Sequence, residues 1–193
     1  MVLEPYFYVI AIVSVFLHGM GKGGFIGAGS FGSLLAIPML SIFIPPFQAV
    51  AILLLPLIFM DMVTVWRYRW MWDVKILKFI VPLAFFGIIL GTLSFSYLSE
   101  DNVRVIIGLM AVIFCLDYYL RKNSSEPSTP SLWGSYFWPS LSGFTSFSIH
   151  AGGIPLSFYL LPMRLDRRIY VATAGLFYLS VSYTHLTLPT TLV

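Results

Sequence analysis

Charged side chains are scarce in this 193-residue chain, where Asp, Glu, Lys and Arg together make up 10% of the residues. A soluble domain carries about 25%, whereas hydrophobic residues here reach 59% and the mean hydropathy is +0.90. A basic run with interleaved polar aromatics is also missing, so no nucleic-acid partner is expected. The composition therefore predicts an integral membrane protein that is embedded in the lipid bilayer.

Cysteine is nearly absent as well, because Cys115 is the single one and it lies within an apolar run. A lone cysteine excludes a disulfide framework and a thiolate metal site, and it is most simply a small buried hydrophobe. Catalytic patterns such as HExxH, GxSxG and paired carboxylates do not occur. We therefore expect no metal, no cofactor and no catalytic residues, and the protein is not predicted to be an enzyme.

Long apolar runs fill most of the chain, and a membrane-spanning helix needs about 20 such residues. Five runs precede a polar, proline-bearing linker, and three follow it. The runs cover 6–20, 28–44, 47–66, 77–98 and 103–120, then 133–149, the short 154–163, and a last one from 169 onward. The pattern predicts an all-α fold, a polytopic transmembrane helical bundle.

Basic residues predict the orientation of these runs, because cytoplasmic loops are enriched in lysine and arginine. Four of them occupy the loop after the third run: Arg67, Arg69, Lys75 and Lys78. That loop is therefore assigned to the cytoplasm, and so is the linker at 123–131. Because an odd number of spans precedes the linker, a second similar unit would start from the opposite face, as in inverted repeats. We predict a first repeat at 1–122 and a partial second repeat at 132–180.

Two glycine-rich segments follow apolar runs, one early and one late: His18-Gly19-Met20-Gly21-Lys22-Gly23-Gly24 and His150-Ala151-Gly152-Gly153. Glycines at membrane depth either allow close helix packing or free the backbone from a regular helix. We favour the second interpretation, in which half-helix starts direct N–H groups at an anion. The segments therefore predict broken or half helices that meet around an anion site.

Three ionisable side chains near these segments each allow two interpretations. His150 either bonds a backbone carbonyl at a helix end or takes part in substrate or proton binding. Lys22 either reaches the inner surface or faces a cavity and attracts an anion, since a lysine within the bilayer is costly. Asp61 either pairs with Arg67 at the interface or acts as a proton carrier or partner for Lys22.

The candidate substrate-binding residues combine the glycines with the polar side chains beside them. They are His18, Gly21, Lys22, Gly23, Gly24, Ser146, His150, Gly152 and Gly153. Ser146 lies one turn before His150, where its hydroxyl can contact a substrate, although such serines commonly bond their own helix. Asp61 is a weaker candidate, for ion coupling.

A family resemblance is carried by a series of short motifs. In the second half these are Gly143-Phe144-Thr145-Ser146, His150-Ala151-Gly152-Gly153-Ile154-Pro155 and Tyr159-Leu160-Leu161-Pro162, and in the first half the glycine-rich segment and Met60-Asp61. In this order they resemble the TauE/SafE sulfite exporter family. The resemblance implies a multi-pass secondary transporter of the bacterial inner membrane that moves a small sulfur-containing anion, such as sulfite or a sulfonate. A coupling ion, proton or sodium, is implied too, while the oligomeric state is left open.

The end of the chain departs from this resemblance. Residues 181–193 look like a translated sequencing adapter, so we predict a truncated chain with a non-native tail and exclude that tail from site assignments. Two other classes of function stay open at this point. An intramembrane enzyme would turn over a lipid or peptide, and a structural membrane subunit would bind no solute.

Overall fold

A computed structural model describes residues 5–23, 35–94, 131–149 and 152–187 of the chain, with positions 97, 99, 101–102, 105–106, 108–109, 112–113, 116 and 119 between them. Every regular element in these residues is a helix, as the sequence predicts. The helices are α1 (Pro5–Lys22), α2 (Pro46–Arg67), α3 (Val74–Ser94), α4 (Leu132–Ile149), α5 (Gly153–Leu160), a 3-10 helix (Leu161–Met163) and α6 (Arg167–Thr187). Residues 35–40 and the described positions from 101 to 119 are helical too.

The first backbone N–H groups of a helix have no partner within it. In this chain helices start at a proline, which has no N–H, or after an aspartate, whose carboxylate accepts hydrogen bonds from those groups. α2 begins at the Pro45-Pro46 pair, where a proline costs nothing because its missing N–H would have no partner in the helix. The Asp73 carboxylate accepts bonds from the backbone N–H groups of Lys75 and Ile76, at 2.8 and 3.1 Å. Asp166 caps the start of α6 in the same way. Aspartates are among the best residues at this position.

By length and composition, Val74–Ser94 is the helix that could cross a bilayer among the described residues, with 21 residues and a hydropathy of 2.3. Tyr6–Lys22 and Gly153–Met163 are shorter apolar helices. The short Gly153–Met163 stretch corresponds to the predicted run at 154–163, about half a membrane thick at 1.5 Å per residue. The inverted repeat and the domain boundaries stay predictions.

Two apolar clusters hold the helices together. The first joins Phe7 of α1 to residues 36–44 and to Leu53 and Leu57 of α2. The second joins α3, α5 and α6, with Ile80, Leu156 and Phe177 among its most buried members. Since every residue from Ile154 to Leu160 is buried, α5 lies inside the bundle with protein on all sides.

α4 and α5 form an antiparallel hairpin. The rings of Trp138 and Phe158 are 4.6 Å apart, and the Ser142 hydroxyl donates to the carbonyl of Gly152 at 2.6 Å. α5 therefore runs back along α4, towards the end at which α4 begins. The second helix of the hairpin, α5, is only eight residues long and buried. Its first residues therefore lie well inside the protein.

Helix α3 runs parallel to α4, and these two helices share the most extensive packing in the bundle. Near their starts, the rings of Phe79 and Tyr136 lie 5.5 Å apart. Near their ends, Gly91 faces the ring of Phe147. The starts of α3 and α4 therefore lie at the same end of the bundle.

Candidate functional site

A buried ion pair joins the first two helices. Lys22, the last residue of α1, donates through Nζ to Oδ1 of Asp61 in α2. The Asp61 side chain is fully buried, and that of Lys22 is 11% exposed. Asp61 lies six residues before Arg67 at the end of α2, which corresponds to about 9 Å of helix. The pair is therefore inside the bundle rather than at its surface.

This pairing identifies the charged partner of Asp61. Its carboxylate contacts Lys22 and not Arg67, whose exposed guanidinium lies 5.7 Å from the ring centroid of Tyr68. Lys22 in turn does not extend to the surface, because its ammonium is held by a fully buried carboxylate. A buried charge of either sign requires such a partner, since the removal of one ion from water costs on the order of several kcal/mol.

Helix α6 covers the pair from the other side. The Lys22 ammonium lies 4.8 Å from the ring centroid of Tyr178, a distance at which the ring face attracts a cation. The hydroxyl of Ser182, which lies in the tail that is excluded from the site assignments, is 3.4 Å from Oδ2 of Asp61, a long contact that contributes little. α2 and α6 approach closely because Gly175 has no side chain, and a Cβ there would lie 2.7 Å from Cγ2 of Thr64.

The second glycine segment reaches the same ring. Gly152 forms the turn before α5, and Gly153 is the first residue of α5. A Cβ on Gly153 would lie 3.3 Å from the hydroxyl oxygen of Tyr178. Tyr178 is thus in contact with Lys22 through its ring and with the start of α5 through its hydroxyl. It brings the two glycine segments to one place.

The remaining predicted site residues divide into three groups. His18 is buried one turn before Lys22 on α1, and Ser146 packs on Gly152, where a Cβ would lie 2.7 Å from the serine Cβ. Helix α1 passes through Gly21 without a break, and Gly23 follows in a turn whose N–H donates to the carbonyl of Gly19 at 2.8 Å. His150 and Gly24 lie outside the described residues.

Helix α1 continues through Gly19 and Gly21 and ends at Lys22, within the early glycine segment. The physical reason is that, away from water, a backbone group is best satisfied inside a helix, even at glycine. Gly19 also allows close packing, since Met60 of α2 lies directly against it. The helix ends only after Lys22 has been carried to Asp61.

Two residues of the site were not among the candidate site residues predicted from the sequence. Tyr178 lies in an apolar, aromatic stretch that is typical of a helix core, and its contact with Lys22 depends on how α6 packs on α1. Serines within a helix commonly bond a carbonyl of their own helix, but the Ser142 hydroxyl donates to the carbonyl of Gly152. Among the residues that the structure describes, no group of three His, Cys, Asp or Glu side chains is arranged to hold a metal ion.

The family of the chain is decided by a comparison of the whole sequence. The family profile described as "Sulfite exporter TauE/SafE" matches residues 11–189. The chain belongs to the TauE/SafE family. This confirms the resemblance carried by the short motifs and makes the protein a member of a family of membrane transporters. No curated protein and no solved structure matches it.

Removal of the Ser142 hydroxyl tests whether the α4–α5 hairpin is held at its turn. Ser142→Ala deletes the bond to the Gly152 carbonyl, which keeps its bond from the N–H of Leu156 at 3.2 Å. Because that acceptor stays bonded, we expect a loss of only about 1 kcal/mol of unfolding free energy. Unfolding in detergent micelles measures it. Ser140→Ala, which removes a bond to the carbonyl of Tyr136 within α4, is the matched control and is expected to change less.

Proposed function

We propose that this TauE/SafE protein is a multi-pass secondary transporter of the bacterial inner membrane. Its proposed substrate is a small sulfur-containing anion, such as sulfite or a sulfonate. The observation that carries the proposal is a lysine ammonium inside the bundle that lies against Tyr178, whose hydroxyl faces Gly153 at the start of the buried helix α5. Family membership supports transport, and the site supports the negative charge of the substrate.

The groups around Tyr178 are donors of the kind that bind oxyanions. The first N–H groups of a helix have no partner within it, and the positive end of the helix dipole favours an anion there. At α5 these are the amides of Gly153 and Ile154, since Pro155 has no N–H. Together with the Lys22 ammonium and the Tyr178 hydroxyl, they offer a small tetrahedral or pyramidal anion several donors at once.

Sequence-based candidates complete the proposed site. His150 directly precedes Ala151-Gly152-Gly153 in the sequence, so we assign its imidazole to the same anion as a donor. His18 and Ser146 flank the site on α1 and α4. In the proposed mechanism the two repeats rock against each other, and the site is exposed first to one side of the membrane and then to the other.

The half-helix and its counterpart support the inverted repeat. Leu160-Leu161-Pro162-Met163 closes α5 and precedes α6, much as Ala36-Ile37-Pro38-Met39 precedes α2. Both stretches are helical and carry a buried leucine or isoleucine into an apolar cluster. We infer that residues 35–40 play in the first repeat the part that α5 plays in the second.

Stabilisation by substrate tests the proposed function on the purified chain in lipid nanodiscs. A ligand that binds the folded state at 100 times its Kd adds about 2.7 kcal/mol of stability, so sulfite or methanesulfonate is expected to raise the Tm. Lys22→Met and His150→Ala are each expected to abolish most of this rise. Lys75→Met, at an exposed lysine outside the site, is expected to keep it.

The same measurement separates the rival functions. A structural subunit would show no rise in Tm with either anion, in the wild-type chain or in any variant. A rise of equal size in Lys22→Met would remove the ammonium from the site, and an unchanged rise in His150→Ala would do the same for the imidazole. Turnover of a lipid or peptide by the purified chain would favour an intramembrane enzyme.

A further inference from the structure

The ion pair leaves the binding site without net charge. The Asp61 carboxylate occupies the Lys22 ammonium through Oδ1, and the ring of Tyr178 covers that ammonium from another side. An arriving anion therefore meets a lysine that already holds a negatively charged partner. Binding of the anion to Lys22 therefore depends on the charge of Asp61.

We propose that Asp61 holds the place of the substrate in the empty site and takes up one proton for each monovalent anion that binds to Lys22. The inference rests on the proposed function and names its coupling ion. In the empty state the ammonium pairs with the carboxylate. In the loaded state the ammonium pairs with the anion. A proton from solution forms an O–H bond with a carboxylate oxygen of Asp61, which becomes a neutral carboxylic acid.

Charge balance is the physical reason for the coupling. The ion pair plus an anion would leave a net charge of minus one inside the bundle, and an uncompensated buried ion costs on the order of several kcal/mol. One proton on Asp61 returns the site to neutrality. Because the Asp61 carboxylate is fully buried, solvent cannot screen the excess charge there.

The groups that face Asp61 favour it as the proton acceptor. Lys22 lies on α1, with His18 one turn earlier, and α6 contributes Tyr178 and the distant Ser182 hydroxyl. α4 carries no charged residue and no histidine, and neither does α5. Among these groups, only the Asp61 carboxylate shares its hydrogen-bond partner with the incoming anion. Its protonation state is therefore linked directly to occupancy of the site.

Methanesulfonate is the probe, because its single negative charge is fixed and the ligand itself releases or takes up no proton. Calorimetric titration of the wild-type chain in nanodiscs, in two buffers with different ionisation enthalpies, counts the protons taken up. We expect about one proton per anion, and an affinity that falls about tenfold for each unit of rising pH. Asp61→Asn is expected to reduce the proton count to about zero and to remove the pH dependence.

A second carboxylate provides the matched control. Asp166→Asn alters an exposed aspartate that caps α6, and asparagine caps as well as aspartate. This variant is expected to bind methanesulfonate with the wild-type proton count. Sulfite is titrated in parallel, and its own proton balance cancels when the wild type is compared with Asp61→Asn.

The outcomes distinguish the inference from the function on which it rests. If the wild type binds methanesulfonate or sulfite with no proton uptake by the protein, the coupling is wrong while the transporter proposal stands, and this result requires no variant to fold. Proton uptake that persists in Asp61→Asn would assign the proton to another group, such as His18. If the wild type binds neither anion, the proposed function itself fails.

Discussion

Asp61→Ala is expected to lower the free energy of unfolding by about 3–5 kcal/mol, because it leaves the Lys22 ammonium as an uncompensated charge inside the bundle. The aspartate side chain is fully buried and accepts from Nζ of Lys22. Lys22→Met is expected to cost a similar amount for the mirror-image reason, since it strands the carboxylate. Both values are read from detergent-induced or thermal unfolding of the purified chain.

The double variant Lys22→Met/Asp61→Ala is expected to be clearly more stable than the sum of the single changes predicts. With both charges removed, no ion is left unpaired, and methionine fills most of the lysine stem with a flexible apolar chain. The non-additivity of the cycle measures the coupling between the two residues. Lys75→Met, at an exposed site, is expected to stay within about 0.5 kcal/mol of the wild type.

Function and stability separate in this cycle. The double variant is expected to fold but to bind no methanesulfonate, since it lacks the ammonium. If the single changes instead cost less than about 1 kcal/mol each, or if their costs simply add, the pair is too well hydrated to hold a substrate site in the bundle.

The cost of a charge in the bilayer made it possible to single out Lys22 and Asp61 from the sequence. Each is an isolated charge beside or within an apolar run, so each needed a partner. Which partner could not be decided, because the two residues are 39 positions apart and their contact depends on how α1 packs against α2. Arg67, which is close to Asp61 in sequence, was the other candidate partner of that carboxylate.

The two glycine segments differ in how the helices beside them begin and end. The prediction of a half-helix is met by α5, which starts at Gly153 and is eight residues long. At the early segment α1 continues through Gly19 and Gly21, because two glycines separated by a helix-forming methionine can still complete the backbone hydrogen bonds, and it ends at Lys22, directly before Gly23. The pattern of a broken helix and that of a closely packed helix are the same in sequence.

Aromatic residues explain why Tyr178 was not predicted. Phenylalanine and tyrosine make up much of the apolar sequence, and a single tyrosine in such a run is typical of a core. Nothing in the local sequence distinguishes Tyr178 from Tyr170, which lies about two turns earlier on α6. Its role follows only from the meeting of α1, α5 and α6, a contact between segments that are far apart in sequence.

Gly143→Ala is expected to destabilise the protein by about 3 kcal/mol or more, beyond the usual cost of overpacking a core. Helices α3 and α4 touch through their backbones: a Cβ on Gly143 would lie 2.0 Å from the carbonyl oxygen of Ala84, and one on Gly87 would lie 1.8 Å from that of Ser140. Backbone atoms cannot rotate away as a flexible side chain can. The methyl group therefore forces the two helices apart, as expected of an interface built on small residues.

The consequence of that separation reaches the site through α5. Helix α4 holds the turn before α5 through Ser142, so displacement of α4 moves the start of the half-helix away from Tyr178 and Lys22. Gly143→Ala is thus expected to weaken methanesulfonate binding as well as stability, and Gly87→Ala to add little once the helices are apart. Gly108→Ala is the control, because no atom lies within 4 Å of a Cβ there and alanine favours a helix by about 1 kcal/mol. Equal unfolding free energies for Gly143→Ala and Gly108→Ala would mean that α3 and α4 do not meet at Gly143, and with that contact the placement of α5 beside Lys22 would be lost.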